Sequence, residues 1–345
     1  MNSHISKLYE TIYQRCPRSM KNALSRCSFE MTNKPWVCRS GNSLEMARHD
    51  NSKGVLVISA DLELAWGWRY SKAQENPLEK ALRTRANFPV LFRLFEEYNI
   101  PVTWATVGHL LLNSCGRSSH DWMHRIPFFE NAKWSYRNGD WFDADPRTNW
   151  RKAEAWYAPD LIEKIVASKA EHEIGCHTFS HIDFSDSICP SSVAEDEVIA
   201  CIAAAKHWDI DLRSFVFAAG TYGNYEVLKK HGFTNYRKRL RWELSQPSFD
   251  DHGLVVLPSS CALQGGNLGW SRDYTAYRLK KYIDRAVTSR TVCHFWFHPS
   301  FDGWFLNNVF PCVLKHAAEL RDQNRLWIAT MGQVAAHALR TKSRI

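Results

Sequence analysis

Glu173-Ile174-Gly175-Cys176-His177-Thr178-Phe179-Ser180-His181-Ile182-Asp183-Phe184 is the stretch around which the chain is organised. Glu173-Ile174-Gly175 reads as a short buried strand, and it ends at two histidines spaced four apart. A neutral imidazole is a common metal ligand, and a close pair can supply two ligands from one turn. In a chain with 15 histidines such a pair, taken alone, is more often a surface or core feature. Two distant stretches answer it: Ser59-Ala60-Asp61-Leu62-Glu63-Leu64 upstream and Phe297-His298-Pro299 downstream.

Outward from that strand, apolar runs alternate with helical periodicity. Gly54-Val55-Leu56-Val57-Ile58-Ser59 is nearly continuous in its apolar character, the pattern of a strand buried on both faces of a parallel sheet, and it delivers Asp61 and Glu63 at its C-terminal end. Pro77 to Tyr98 has helical spacing, with a kink or restart expected at Pro89, and Pro101 to Val107 follows as a strand. Ala158 to Ile165 opens another helix. Ser191 to His207 reads as a helix capped by Ser191 or Ser192, with Glu195 placed for a capping box. Phe215 to Phe217, Leu254 to Leu257, Thr291 to Phe297 and Leu326 to Ile328 read as further strands, with helices at Tyr225 to His231, Tyr274 to Thr288, Pro311 to Gln323 and Met331 to Arg340. Repeated strand–helix alternation without a linker predicts one α/β domain over 51–345, with 1–50 as an arm or irregular cap. Asp61, Glu63, Thr106, His177, Tyr222 and His298 all follow strands, and in a parallel barrel the strand ends share one rim. The aromatic segment Cys115 to Tyr157 is too long for an ordinary connection and reads as an ordered wall.

Composition narrows the function classes. The formal net charge is +8, which suits an anionic substrate, but there is no nucleic-acid motif. The dense basic run Tyr236 to Arg241 reads as a solvated face. The ten cysteines form no CxxC pair or regular framework, so reduced thiols in a cytoplasmic protein are expected. No signal-peptide pattern and no apolar run of membrane-spanning length is visible. Among the 15 tryptophans, Trp66, Trp68, Trp104 and Trp296 are divided between core packing and stacking on a sugar ring.

Ser59-x-Asp61-x-Glu63, Glu173 to His181 and Phe297-His298-Pro299, in that order, resemble the motifs of the polysaccharide deacetylases, carbohydrate esterase family 4 with the NodB-homology fold. The resemblance runs from about Val55 to Arg340 and implies a distorted, TIM-like (β/α) barrel that uses a divalent metal, most often Zn2+, to hydrolyse N-acetyl groups on amino sugars. It implies Asp61 as general base, Glu63, His177 and His181 as metal ligands, His298 as general acid, and the Tyr222 backbone N–H as an oxyanion donor. One motif departs. Where the family carries an arginine that holds the catalytic aspartate, Phe217-Ala218-Ala219-Gly220-Thr221-Tyr222-Gly223 has Ala219. This puts the orientation and pKa of Asp61 in question, with Arg237 or Arg239 as replacements.

The first reading is therefore a metal-dependent N-deacetylase acting on an N-acylated, phosphate-bearing or otherwise intracellular sugar. The alternatives are a related hydrolase of a non-sugar amide or imide, and a catalytically impaired carbohydrate-binding homologue.

Overall fold

The computed structural model describes residues 29, 34–38, 53–71, 76–116, 118–120, 141–239, 243–263 and 271–343. Strand β1 (Trp36–Cys38) is followed by β2 (Gly54–Leu62), helix α1 (Pro77–Glu97), β3 (Thr103–Thr106), α2 (Pro159–Ala167), β4 (Glu173–Cys176), α3 (Ser191–Lys206) and β5 (Ser214–Val216). Next come α4 (Tyr225–Lys230), β6 (Asn235–Arg239), β7 (Glu243–Ser245), β8 (Ser248–Phe249), β9 (Val255–Ser259) and β10 (Cys261–Ala262). The chain ends with α5 (Arg272–Ser289), β11 (Val292–Phe297), α6 (Phe310–Asp322), β12 (Leu326–Ala329) and α7 (Met331–Lys342).

Strands β11, β2, β3, β4, β5, β6 and β9 pair in that order, all parallel. After Ser260 the chain runs from β9 into β10, which pairs in parallel with β11, so the pairing returns to its starting strand. The result is the distorted (β/α) barrel expected from the alternation.

The strand period of two sorts residues between the barrel interior and the helix layer. Along β2, Leu56, Ile58 and Ala60 belong to the large outer core with the helices, whereas Val55 and Val57 join Ala105, Val216, Val255, Leu257 and Val292 in a smaller inner cluster. Met331, Val334, Ala335 and Ala338 of α7 complete that inner cluster and close one end of the barrel. Glu173 ties this floor together, accepting from Thr103 Oγ1 at 2.7 Å, Ser214 Oγ at 2.5 Å and the Gly332 N–H at 3.0 Å. The inward series of β2 therefore begins with valines at the floor and ends with Ser59, Asp61 and Glu63 toward the opposite rim.

Three local expectations change. Helix α1 runs unbroken through Pro89, which lies on its exposed face, so the proline neither breaks nor restarts it, contrary to expectation. Helix α3 has Pro190 at its N-cap and no side-chain cap, because Glu195 instead meets Lys230 at 2.5 Å and His231 at 2.8 Å. The basic run at 236–239 is not a solvated face along its length: it is strand β6, Lys238 and Arg239 are exposed, and Arg237 turns inward and is buried. Strands β1, β7, β8 and β10 were not apparent in the sequence, since two or three residues carry no readable period.

Much of the aromatic segment, 121–140, and most of the arm, 1–50, lie outside the described residues, as do Trp122, Phe128, Phe129 and Trp134. Within the arm, β1 pairs in parallel with β7, and Phe29 is buried in the outer core. Cys115, Cys176, Cys189, Cys201, Cys261, Cys293 and Cys312 are unpaired. Thiol titration of denatured, unreduced protein is accordingly expected to find most of the ten cysteines reactive; near-complete pairing would overturn the expectation of a reducing compartment.

Candidate metal centre

Asp61, in the last turn of the β2 pleat, and Glu63, one residue past the strand end, are two apart and face the same side. Both are buried, at 4% and 5% exposure. Glu63 Oε2 lies 2.9 Å from His181 Nε2 and 3.4 Å from His177 Nε2, and its Oε1 lies 3.3 Å from His298 Nε2. Burial pushes the Glu63 carboxyl up, but the facing imidazoles, His298 and His181 foremost, outweigh it and hold the group well below the usual carboxylate range. Gly67 makes room for this arrangement: a Cβ there would collide with the Glu63 carboxyl.

The histidines come from the turn after β4. His177 sits near the strand end, and its Nδ1 is 2.7 Å from the Val216 carbonyl oxygen. An Nδ1–H donated to that carbonyl leaves the Nε2 lone pair facing Glu63, the usual way a protein sets the tautomer of a ligand histidine. Thr178 and His181 have φ of 59° and 57°, in the left-handed region that side-chain-bearing residues rarely adopt. Neighbouring groups hold this strained turn in place. Glu197 accepts from the Phe179 N–H at 2.7 Å, the Ser180 N–H at 2.9 Å and Ser180 Oγ at 2.5 Å. Arg69 donates to the Ser180 carbonyl at 2.6 Å and stacks over Trp66 and Trp141. Burial pushes the Glu197 carboxyl up to about 7, against those hydrogen bonds.

On the other side of the centre, Arg237 of β6 reaches across the barrel to Asp61. It donates to Oδ1 and Oδ2 at 2.6 Å each, a two-point contact of the kind the guanidinium plane favours. It also donates to Ser59 Oγ at 3.0 Å, and that hydroxyl lies 2.9 Å from His294 Nε2. Burial pushes the Asp61 carboxyl up, but Arg237 prevails by charge and hydrogen bonding and holds it below its ordinary value.

Asp61, Glu63, His177, His181, Arg237 and His298 line a cavity of about 370 Å3 that also touches Ala219, Gly220, Tyr222, Arg239, Trp68 and Trp296. Of the expected rim residues, Asp61, Glu63, His177, His181, Tyr222 and His298 therefore converge, whereas Thr106 bonds the Trp104 carbonyl and does not reach the cavity. The tryptophans divide cleanly. Trp66 and Trp104 are fully buried core residues, and the Trp68 and largely buried Trp296 rings each lie 5.5 Å, centroid to centroid, from the His298 ring. Tyr222 Oη accepts from the Arg239 backbone N–H at 2.6 Å, which fastens the turn after β5 to β6.

No family model matches the chain, and no curated protein matches it. Solved structures do. One from Mycobacterium smegmatis assigned to the polysaccharide deacetylases superposes with a TM-score of 0.61 at 14% identity, covering 88% of this chain and 96% of that one. Another so assigned, from Pseudomonas aeruginosa, gives 0.57 at 13% identity over 83% and 91%. The chain has the polysaccharide-deacetylase fold. An allantoinase, PuuE, superposes at 0.55 with 12% identity over 84% and 91%.

Within the polysaccharide-deacetylase fold the departure at Ala219 has a physical resolution. The positive charge beside Asp61 comes from strand β6, not from the turn after β5, so the doubt over Asp61 is answered by Arg237 and not by the exposed Arg239. Of the residues that support Arg237, Ser59 belongs to the Ser59-x-Asp61-x-Glu63 motif, whereas His294 had no individual signal in the sequence. The inward register of His294 on β11 was its one clue.

The donor set fits a divalent metal. One carboxylate and two imidazoles leave coordination positions open, as hydrolytic zinc sites do, and the ligand atoms of Glu63, His177 and His181 lie within 4.8 Å of one another. His177→Ala or His181→Ala is expected to lose stoichiometric metal at this centre. Elemental analysis against wild type measures it, and undiminished metal in both variants would refute the ligand assignment.

Proposed function

We propose that this chain is a metal-dependent hydrolase that removes an N-acyl group, N-acetyl in the first instance, from an amino sugar. The observation that carries the reading is the pairing of two differently equipped sides of one cavity: an ionised Asp61 clamped by Arg237, and His298 across the Glu63–His177–His181 cluster. A divalent metal held by Glu63, His177 and His181, with Zn2+ the first choice for nitrogen and oxygen donors, would supply Lewis-acid polarisation of the acyl carbonyl and of water.

The chain's own residues then divide the proton work. Asp61, kept ionised, accepts a proton from the attacking water. His298, which lines the same cavity, gives a proton to the departing amine. The Tyr222 backbone N–H is the proposed donor to the developing oxyanion. Trp68, half-buried at the cavity wall with Lys80 on its ring, is the proposed sugar-facing tryptophan, since Trp296 is buried against Arg237 and Arg239. Arg239 at the rim, 5.2 Å from the Trp296 ring, suits a phosphate-bearing substrate, and the unpaired thiols suit a cytoplasmic setting.

The test is acetate release from N-acetylated amino sugars and their phosphate or nucleotide derivatives by metal-loaded protein. Asp61→Asn is expected to keep the metal and lose about a hundredfold to ten-thousandfold in turnover. Near-normal turnover in that variant would show that another group is the base.

The structural likeness to the allantoinase favours one second reading, hydrolysis of a non-sugar amide or imide in the same cavity. Metal without acetate release, but with cleavage of a cyclic ureide or imide, selects it. The third reading, an impaired binding homologue, loses its motive because the charge absent at Ala219 is supplied by Arg237.

A further inference from the structure

A second cluster of ligand-type side chains lies behind the first. His109, in the short helical turn Gly108–Leu111 after β3, meets Cys115, His120 and Asp145. Asp145 Oδ2 is 3.2 Å from Cys115 Sγ, 3.3 Å from His109 Nε2 and 3.6 Å from His120 Nε2. All four donor atoms lie within 4.8 Å of one another. The His109 and Asp145 side chains are fully buried, and that of His120 is 7% exposed.

Hydrogen bonding accounts for only part of the arrangement: Cys115 Sγ donates to Asp145 Oδ2 and lies 3.1 Å from Tyr157 Oη, and the two imidazoles are left over. Neither His109 Nε2 nor His120 Nε2 has a hydrogen-bond partner, although both are buried and face a carboxylate. Buried polar atoms are ordinarily satisfied, and an exception asks for an unseen ion or another cause. The outer groups are already arranged as they are around a metal. His109 Nδ1 lies 3.4 Å from the Trp156 carbonyl oxygen, and Asp145 Oδ1 accepts from the Arg147 N–H at 3.0 Å and Tyr157 Oη at 3.2 Å. Those contacts leave His109 Nε2 for the centre, and Asp145 Oδ2 as well once the Cys115 thiol that donates to it has lost its proton. Ligands about 2.0–2.3 Å from a tetrahedral zinc stand roughly 3.3–3.8 Å apart; the three separations from Asp145 Oδ2 are close to that, and the other donor pairs lie within 4.8 Å.

We propose that His109, Cys115, His120 and Asp145 form a second, closed divalent-metal site of zinc type, structural and not hydrolytic. Four protein ligands complete the tetrahedron and leave no position for substrate. On binding, Cys115 releases its thiol proton to solvent and coordinates as the thiolate. The ion would staple the base of the 115–145 segment, where Cys115 N–H already meets the Thr148 carbonyl at 3.0 Å. It would also stiffen the catalytic turn, because the Gly108 and His109 N–H groups donate to the Thr178 and Phe179 carbonyls at 2.9 and 3.0 Å.

The experiment is metal stoichiometry and cobalt substitution in the full chain. Only the second site contains a thiolate, so its Co2+ form alone should show sulfur-to-cobalt charge-transfer absorption in the near ultraviolet. Wild type reconstituted with Co2+ is expected to bind two ions per chain and show that band. His177→Ala/His181→Ala should bind one ion and keep the band, whereas Cys115→Ser should bind at most one and lose it. His120→Asn, a milder change should Cys115→Ser fail to fold, should weaken or shift the band. One ion per chain in wild type with no charge-transfer band overturns the proposal, as does a band that survives unchanged in both Cys115→Ser and His120→Asn. Loss of the ion at Glu63 alone would refute the hydrolytic centre and leave this site standing.

Discussion

Arg237→Met is expected to fold less stably and to turn over substrate about a hundredfold or more slowly at pH values where the wild-type base is ionised. Asp61 is buried and its two oxygens are both engaged by Arg237. Removing one partner of a buried ion pair typically costs roughly 3–5 kcal/mol, because the remaining charge has no compensation. With Arg237 gone, burial is left to act and raises the Asp61 pKa from its present lowered value. The sign follows: a base with a raised pKa needs higher pH to ionise, so the acidic limb of the pH–rate profile moves upward and activity recovers in part as pH rises. The same pairing links to stability. A carboxyl depressed in the folded state contributes stability above its unfolded pKa and loses it as pH falls through the folded value, so Arg237→Met should flatten the acid-side decline seen in urea midpoints. Arg237→Lys keeps the charge without the two-point contact and should fall between. An acidic limb that stays where it was in Arg237→Met would show that Asp61 is not the base. With Arg237 in place, Ala219→Arg should leave that limb unmoved.

His298→Ala is expected to slow N-deacetylation by about a hundredfold to ten-thousandfold, the usual consequence of losing a general acid. Cleavage of an activated ester should suffer far less, because a good leaving group departs without a proton. The contrast between substrates separates proton donation from binding. His298 Nε2 is 3.3 Å from Glu63 Oε1, so metal content must be measured alongside, and it should be retained. Equal damage to amide and ester would remove His298 from the acid role.

The sequence made the frame of this site legible because the frame is built from periodic elements. Val55 to Ser59 announces a buried strand, and the period of two then places Asp61 and Glu63 on one side of it. The His177–His181 pair and Phe297-His298-Pro299 stood out by residue type and order. Arg237 was harder to place, since a basic run has the same composition on a wet surface as on a barrel strand, and only pairing with β5 and β9 shows which residue turns inward. The capping-box pattern at Ser191 misled because Glu195 has competing partners 35 and 36 residues away. His109, Cys115, His120 and Asp145 had no shared signal: irregular backbone gathers them, and irregular backbone has no period.

Strand β6 also changes how this scaffold can be altered. A guanidinium anchored in the barrel wall moves only if the wall moves, so the connection from Ala218 to Gly223 has no electrostatic duty toward Asp61. Ala219 can therefore be substituted without removing the charge beside Asp61, whereas Tyr222 carries the proposed oxyanion contact and ties the turn to β6 through the Arg239 N–H. The turn after β5 is thereby left with one proposed chemical duty, the Tyr222 N–H, and the charge beside Asp61 is set by the barrel wall alone.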